Sequence, residues 1–558
     1  MLPRILIIKI IDYIKYNFKN SIIWFENLLL VNKEWRDYIV PKIRSIRFNV
    51  DKIESHFSKL SNRDGVELSL SLRGNKDIDD YINKWNSLSI DDNITFISIH
   101  NSNIIPTIRK APKLQNLILD KSGRDCNDIL QFINSNENIQ HLDTLKIIMP
   151  PGVDLRLNQQ VTSTILQNLK KLELVGGVSI HLFGLDFIVE LENLESISVM
   201  KYKVSFESII NLLENTKCID IQLSSLEFTA TDQNQKHVDD LLQSITLSKT
   251  IKVLDFYYSL PFNVIIDHLV NFLNTTPNLK QLLCGNGFLV SKNLNNNENY
   301  VSNLSIVNNT IEIFLFESPV VTMYDTKDNY SIYSLWTVPS NLNELDLTGL
   351  PGIPIESLMK YHNKCSELYI YGSDVSSFPI DVVALNLPNL IWFSFDTEKS
   401  TDFNAVEFIE KLQMNNHLTY LNLGCQMDCN LMCQLISQNH PTIQTINCFT
   451  ITNWNLSNII DSLLSNRNIT SVYFLKANSV KTEESSEYIH QIIRLLENNE
   501  LSNICIEGIA KSIYTQDDMD QFEKTIQLHG HKIVNLVMLP NDNKNITKIL
   551  NKYLIYLN

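Results

Sequence analysis

The sequence predicts an α/β solenoid, in which short parallel strands stack along one face and helices cover the other. Three observations predict it. An L-x-x-L-x-L pattern with apolar substitutions recurs down the chain, its spacing is nearly regular, and the stretches between copies carry apolar residues at helical period.

The clearest copies are Leu114/Leu117/Leu119, Leu142/Leu145/Ile147 and Leu169/Leu172/Leu174. Later first places are Leu194, Cys218, Ile251, Leu279, Ile311, Leu342, Cys365, Leu390, Leu418, Ile443, Ile469, Leu501 and Ile533. Spacings run from roughly 23 to 33 residues, the long end of solenoid repeats or beyond it. Weaker units precede them at Ile43/Ile46/Phe48, Leu68/Leu70 and Ile94/Ile97/Ile99. The fourth and sixth places point inward from a strand because side chains alternate along it, and the first place turns into the same core. Helical period marks Phe206 to Leu213, Val264 to Leu273, Val406 to Leu412 and Tyr488 to Leu496, with Asn274-Thr275-Thr276-Pro277 closing one of them. Burying three strand residues yields ~1.5–3 kcal/mol each. Ordering the backbone costs ~1–2 kcal/mol per residue. A lone unit therefore should not fold, and neighbours must stack.

This pattern resembles the leucine-rich-repeat family over roughly residues 43–540. The resemblance implies a horseshoe with parallel strands on the concave face and helices on the convex face. The ninth place, where that family has Asn or Cys, here holds Ser122, Pro150, Gly177, Leu350 and Gln426. The asparagine ladder that bonds the turn backbone is therefore expected to be absent and the repeats irregular. The Asn-rich Ser291 to Asn303 and the unpatterned Val320 to Ser340 break the rhythm and suggest a joint. The expected organisation is a module at 1–48, irregular first repeats at 49–113, and two halves of the solenoid at 114–310 and 311–558.

The first 48 residues fall largely outside the repeat. Leu2-Pro3 precedes Ile5, Leu6, Ile10 and Ile14 at helical spacing, and a second element runs Leu28-Leu29-Leu30-Val31-Asn32-Lys33-Glu34-Trp35-Arg36. This resembles an F-box, a small helical module that docks on the Skp1 adaptor of a cullin ubiquitin ligase. The resemblance implies Skp1 contact through Leu2, Pro3, Ile5, Leu6, Ile10, Leu30, Val31, Lys33 and Trp35. The link from Tyr16 to Glu26 is longer than usual, and Phe18-Lys19-Asn20 replaces the usual acidic turn. The other reading of the segment is a cap on the open end of the core, which every repeat protein needs.

A formal charge of −15 without a basic stripe argues against nucleic acid and against an anionic membrane surface. The nine Cys are scattered, and Cys218, Cys284, Cys365 and Cys448 take places of core Leu or Ile, as thiols do in a reducing compartment. Met1 to Ile11 is interrupted by Arg4 and Lys9, unlike a signal peptide, and no apolar run reaches membrane-spanning length. A soluble cytoplasmic or nuclear protein is expected. Cys425, Cys429 and Cys433, with His417 or His440, have zinc-like spacing, but Cys429 and Cys433 stand at core places. Cys284-Gly285-Asn286-Gly287 reads as a turn, as does His529-Gly530-His531. No nucleophile–base arrangement, phosphate loop or dinucleotide fingerprint is present, so neither a catalytic residue nor a metal or cofactor is predicted.

The third, fifth and seventh places of adjacent strands point to solvent. In the second half these are Glu344, Asp346, Glu367, Tyr369, Tyr371, Trp392, Asp396, Tyr420 and Asn422, with Tyr257 and Tyr473 as extensions. Aromatics beside acids suit a protein partner. The expected function is an interaction scaffold, an F-box substrate receptor presenting a protein target; the alternative is a repeat scaffold with no ubiquitin role.

Overall fold

The computed structural model describes residues 45–49, 67–72, 94–99, 114–120, 141–157, 166–177, 180–229, 234–256, 264–284, 289–290, 304–316, 320–322, 330–347, 359–371, 378–397, 403–476, 487–498, 501–507, 514–530, 533, 535–539, 546 and 548–550. They fall into two compact units, one within residues 1–262 and 278–286, the other within 263–277 and 287–558. The segment from Leu2 to Trp35 and the Asn-rich 291–303 lie outside the described residues.

In the first unit, parallel pairing joins the strands Ser45–Asn49, Glu67–Leu72, Ile94–Ile99, Asn116–Asp120, Thr144–Ile148, Lys171–Val175, Ser196–Met200, Asp220–Ser224, Val253–Phe256 and Gln281–Cys284 in sequence order. The register sets like motif places side by side. Leu117, Leu145, Leu172, Ile197, Ile221, Leu254 and Leu282 form the fourth-place row, at most 3% exposed. A slip of one residue would turn this row to solvent, so burial itself fixes the register. The second unit repeats the scheme through Ile313–Phe316, Glu344–Asp346, Glu367–Tyr371, Trp392–Asp396, Tyr420–Leu423, Thr445–Thr452, Ser471–Lys476, Asn503–Glu507 and Asn535–Leu539. This strand-by-strand parallel stacking with inward Leu and Ile is the architecture of a leucine-rich-repeat solenoid.

Helices form where the period predicts them: Phe206–Asn215, Ala405–Leu412 and Glu487–Asn498. Val264–Ile265 instead pairs as a short strand with Leu289–Val290, and its helix starts at Ile266. Helix starts are capped by short polar side chains that satisfy otherwise unpaired first-turn N–H groups. Ser205 Oγ accepts from Ser208 N, Asn404 Oδ1 from Glu407 N, and Asn455 Oδ1 from Asn458 N. The unpatterned 320–340 region contains an antiparallel pair, Val320–Thr322 with Tyr330–Ser331, then a 3-10 turn at Ile332–Leu335. That turn buries Tyr333, whose ring packs with those of Phe314 and Trp336.

Apart from the ninth place, which holds no asparagine in the repeats named above, a polar ladder stands three residues ahead of the first place in five repeats. Asn415 Nδ2 donates to the Val383 carbonyl of the preceding helix, while its Oδ1 accepts from His417 N and Leu418 N. Asn466 does the same with Ile436 O, Asn468 N and Ile469 N, and Asn308 with Leu273 O, Thr310 N and Ile311 N. His362 and His440 take the same place, with Nε2 at 3.0 Å from the carbonyls of Tyr333 and Leu412. Helix ends leave carbonyls without intrahelical partners, and one side chain here serves that end and the next turn together. All five are buried.

The carbonyl at Nε2 requires the proton there, so Nδ1 of His362 accepts from Ser340 Oγ at 2.8 Å and the ring is neutral. Burial pulls its pKa down to about 4. The unfolded ring gains a proton below about pH 6.5 while the folded one does not, so stability is lost as pH falls from about 6.5 toward 4. Urea unfolding of the second unit at pH 5 should show ~2 kcal/mol less stability than at pH 7. A His362→Asn variant, borrowing the residue used elsewhere in the ladder, should flatten that dependence. An unchanged pH slope in the variant would assign the effect to other groups.

Candidate protein-interaction face

The open face of the second unit is built from places that the pleat turns away from the core. Register puts Glu344, Glu367, Trp392, Tyr420 and Thr445 in one row, and Asp346, Tyr369, Ser394, Asn422 and Asn447 in the next. Tyr371 aligns with Asp396 one step further on. The aromatic and acidic residues predicted from sequence are thus brought onto one continuous surface. Trp392, Tyr420, Tyr369, Asn422, Asp396, Glu344, Asp346 and Glu367 are all half-buried, so neighbours hold each side chain while part of it stays accessible. The extension through Tyr257 falls outside the described residues; Tyr473 is present and its ring meets that of Phe449 edge-on at 5.5 Å. Phe449, 40% exposed, was not among the residues expected here, although it stands at the seventh place like Asp396.

Trp392 and Tyr420 stack with ring centroids 3.4 Å apart and planes 11° off parallel. Their strands are neighbours, with an ordinary strand spacing of ~4.8 Å. The stack therefore runs along the row and covers one Trp392 face, and Glu367 is the next residue on the row's other side. Asn447 Nδ2 donates to the Tyr420 hydroxyl, Asn422 Nδ2 to Ser394 Oγ at 2.8 Å, and the Tyr369 hydroxyl to Glu367 Oε2 at 3.0 Å. These bonds fix the rings before any partner arrives, which limits the ordering cost of binding. Trp392 Nε1 and Asn422 Oδ1 are buried without a hydrogen-bond partner among the described residues. Each such orphan costs ~1–3 kcal/mol.

Gly424 sits against Asp396, where an added Cβ would come within 2.8 Å of the Asp396 Cα. Its bare Cα lets the Asp396 side chain lean across the next strand.

The two units differ in charge at equivalent rows. In the first, Glu173 lies between Lys146 at 2.7 Å and Lys171 at 2.8 Å. Burial alone would raise its carboxyl, but the two ammonium groups outweigh it and hold the pKa below the usual range. In the second, burial first and then repulsion from Glu367 and Asp346 push the Glu344 carboxyl up. Neither Glu344 nor Glu367 has an ion-pair partner among the described residues. The acid of the first face is paired by two ammonium groups, while Glu344 and Glu367 of the second stand beside an aromatic slab with no such pairing among the described residues.

The cysteine group lies elsewhere. Cys425 and Cys429 are core residues, 2% and 1% exposed, Cys433 is half-buried one turn on, and His440 is committed to the ladder.

No protein-family description and no curated protein matches the sequence. Solved structures do align with it, among them three leucine-rich-repeat proteins. An internalin from Listeria monocytogenes shares 14% identity over 74% of this chain and 98% of its own, with a TM-score of 0.34. A TLR13–ssRNA13 complex shares 13% over 89% of this chain and 65% of its own, with a TM-score of 0.36. The yeast Rad7–Elc1 complex shares 12% over 80% of this chain and 89% of its own, with a TM-score of 0.31.

Proposed function

We propose that this chain is a protein-interaction scaffold acting as an F-box substrate receptor: residues 1–48 hold a Skp1-type adaptor, and the open face of the second unit holds the protein to be modified. The observation that carries the scaffold reading is the ordered Trp392–Tyr420 stack set among half-buried acids on adjacent strands. Buried aromatic anchors with a polar rim are what protein interfaces are built on. The ligase reading is supported by Leu2, Pro3, Ile5, Leu6, Ile10, Leu30, Val31, Lys33 and Trp35, which match the F-box pattern place by place. Chemistry would belong to partner enzymes; this chain would contribute proximity, converting a bimolecular encounter into a tethered one.

Pull-down of purified full-length chain with purified Skp1 tests the ligase reading. Binding is expected from the natural sequence and not from a Leu2→Ala, Pro3→Ala double variant. A folded full chain that fails to bind Skp1 would overturn it. The scaffold would then stand alone, with residues 1–48 as a cap on the first repeats.

A further inference from the structure

The same face indicates what kind of partner fits it, an inference that rests on the scaffold reading above. Glu344, Glu367, Trp392 and Tyr420 are consecutive in one row of the sheet. At an ordinary strand spacing of ~4.8 Å, the two carboxylates and the Trp392 face opposite Tyr420 lie within the reach of one long side chain. Tyr420 covers the far side of Trp392 and is itself anchored by Asn447, so the indole cannot swing away. Glu367 is held in turn by the Tyr369 hydroxyl.

An arginine matches this arrangement chemically. Its guanidinium is flat, stacks on an indole, and donates in a fork that fits carboxylates. The neutral alternatives fare worse. An aliphatic anchor would bury Glu344 and Glu367 without a counter-charge, and burial of an unpaired charge is strongly disfavoured. An acidic partner would add to the repulsion already pressing on Glu344. A nucleic acid would bring phosphates to the same carboxylates and is disfavoured for the same reason.

We propose that the open face of the second unit binds a basic peptide segment of its protein partner, with an arginine or lysine head between Glu344, Glu367 and the face of Trp392 opposite Tyr420. The remaining outward groups of the next row, Asn422 and Asn447, would meet the segment's backbone.

Panning a phage-displayed random 12-residue peptide library against immobilised full-length chain tests this. Selected peptides should carry at least about twice the input library's share of Arg and Lys. Synthetic copies should bind at least tenfold more weakly to a Glu344→Gln, Glu367→Gln variant, and to wild type when salt is raised from 0.05 to 0.5 M (both salt values are about what Debye screening requires). Removing two mutually repelling carboxylates is not expected to harm folding, which circular dichroism would verify. Peptides without basic enrichment, weakened by Trp392→Ala but not by the Gln pair, would overturn the basic-partner inference and leave the face as the binding surface. Peptides indifferent to both variants, or a library yielding none, would overturn the choice of this face as well.

Discussion

Replacing Asn466 by Ala should lower the stability of the second unit by about 3 kcal/mol or more, far beyond the usual cost of a surface polar substitution. Two groups lose their partner at once, Asn468 N and Ile469 N, each 2.8 Å from Oδ1, and Ile436 O, 2.6 Å from Nδ2, is left with its backbone donor Asn439 N. Each buried orphan costs ~1–3 kcal/mol, and the site is only 7% exposed, so water can replace few of these bonds. Because repeats interact with nearest neighbours, the damage should be local in sequence. Hydrogen exchange should accelerate in the Ser471–Lys476 strand and at the end of the Cys429–Ser437 helix, while the Lys171–Val175 strand stays protected. Asn466→Asp is the sharper test. It keeps the acceptor but sets a carboxylate oxygen against Ile436 O, so its penalty should shrink on acidification as the carboxyl regains a donor. A loss below 1 kcal/mol for Asn466→Ala would show that the ladder contributes little to holding repeats together.

Phe395→Ala should cost about 3–5 kcal/mol in urea unfolding, the range for deleting a core aromatic. Phe395 is 1% exposed and its ring centroid lies 5.2–5.4 Å from those of Phe393, Phe403 and Phe408. The three remaining rings, Phe393 on the strand and Phe403 and Phe408 at and just before the following helix, cannot close around so large a void, so the cavity persists. Phe395→Leu should recover most of the loss, because volume rather than aromatic character is at stake. The same strand carries Trp392 and Asp396 outward, so the alanine variant should also loosen the candidate face. Equal stability of the Ala and Leu variants would contradict a rigidly packed cluster here.

The strand rows were legible from sequence because a fixed L-x-x-L-x-L template forces like places into register. Leu345, Leu368, Phe393, Leu421, Ile446, Val472, Ile504 and Leu536 do align as one buried row. Outward residues such as Glu367 and Tyr420 followed from the same alternation. The Trp392–Tyr420 stack did not, since it depends on rotamers rather than on spacing. The displaced ladder was missed for two reasons. Asn is abundant throughout, so Asn308, Asn415 and Asn466 did not stand out, and His362 and His440 interrupt the pattern with a different side chain. A constant offset of three residues before five of the first places was the available signal, since both Asn and His present a donor and an acceptor there. The Skp1-contact pattern, from Leu2 to Trp35, falls outside the described residues.

In the five repeats that carry it, the ladder separates two kinds of junction. On the helix-to-strand side, Asn308, His362, Asn415, His440 and Asn466 all stand the same distance from the apolar residue that opens the next strand, at Ile311, Cys365, Leu418, Ile443 and Ile469. One side chain measures that distance, so the junction tolerates neither insertion nor deletion. Repeat lengths nevertheless differ, and where a ladder residue sets the gauge the difference is taken up in helix length and where strands lead into helices. After Tyr371 the next described helix begins at Phe378, and after Lys476 at Glu487. Evolution of this chain can therefore lengthen one edge of the stack freely, while the opposite edge is held to a fixed gauge.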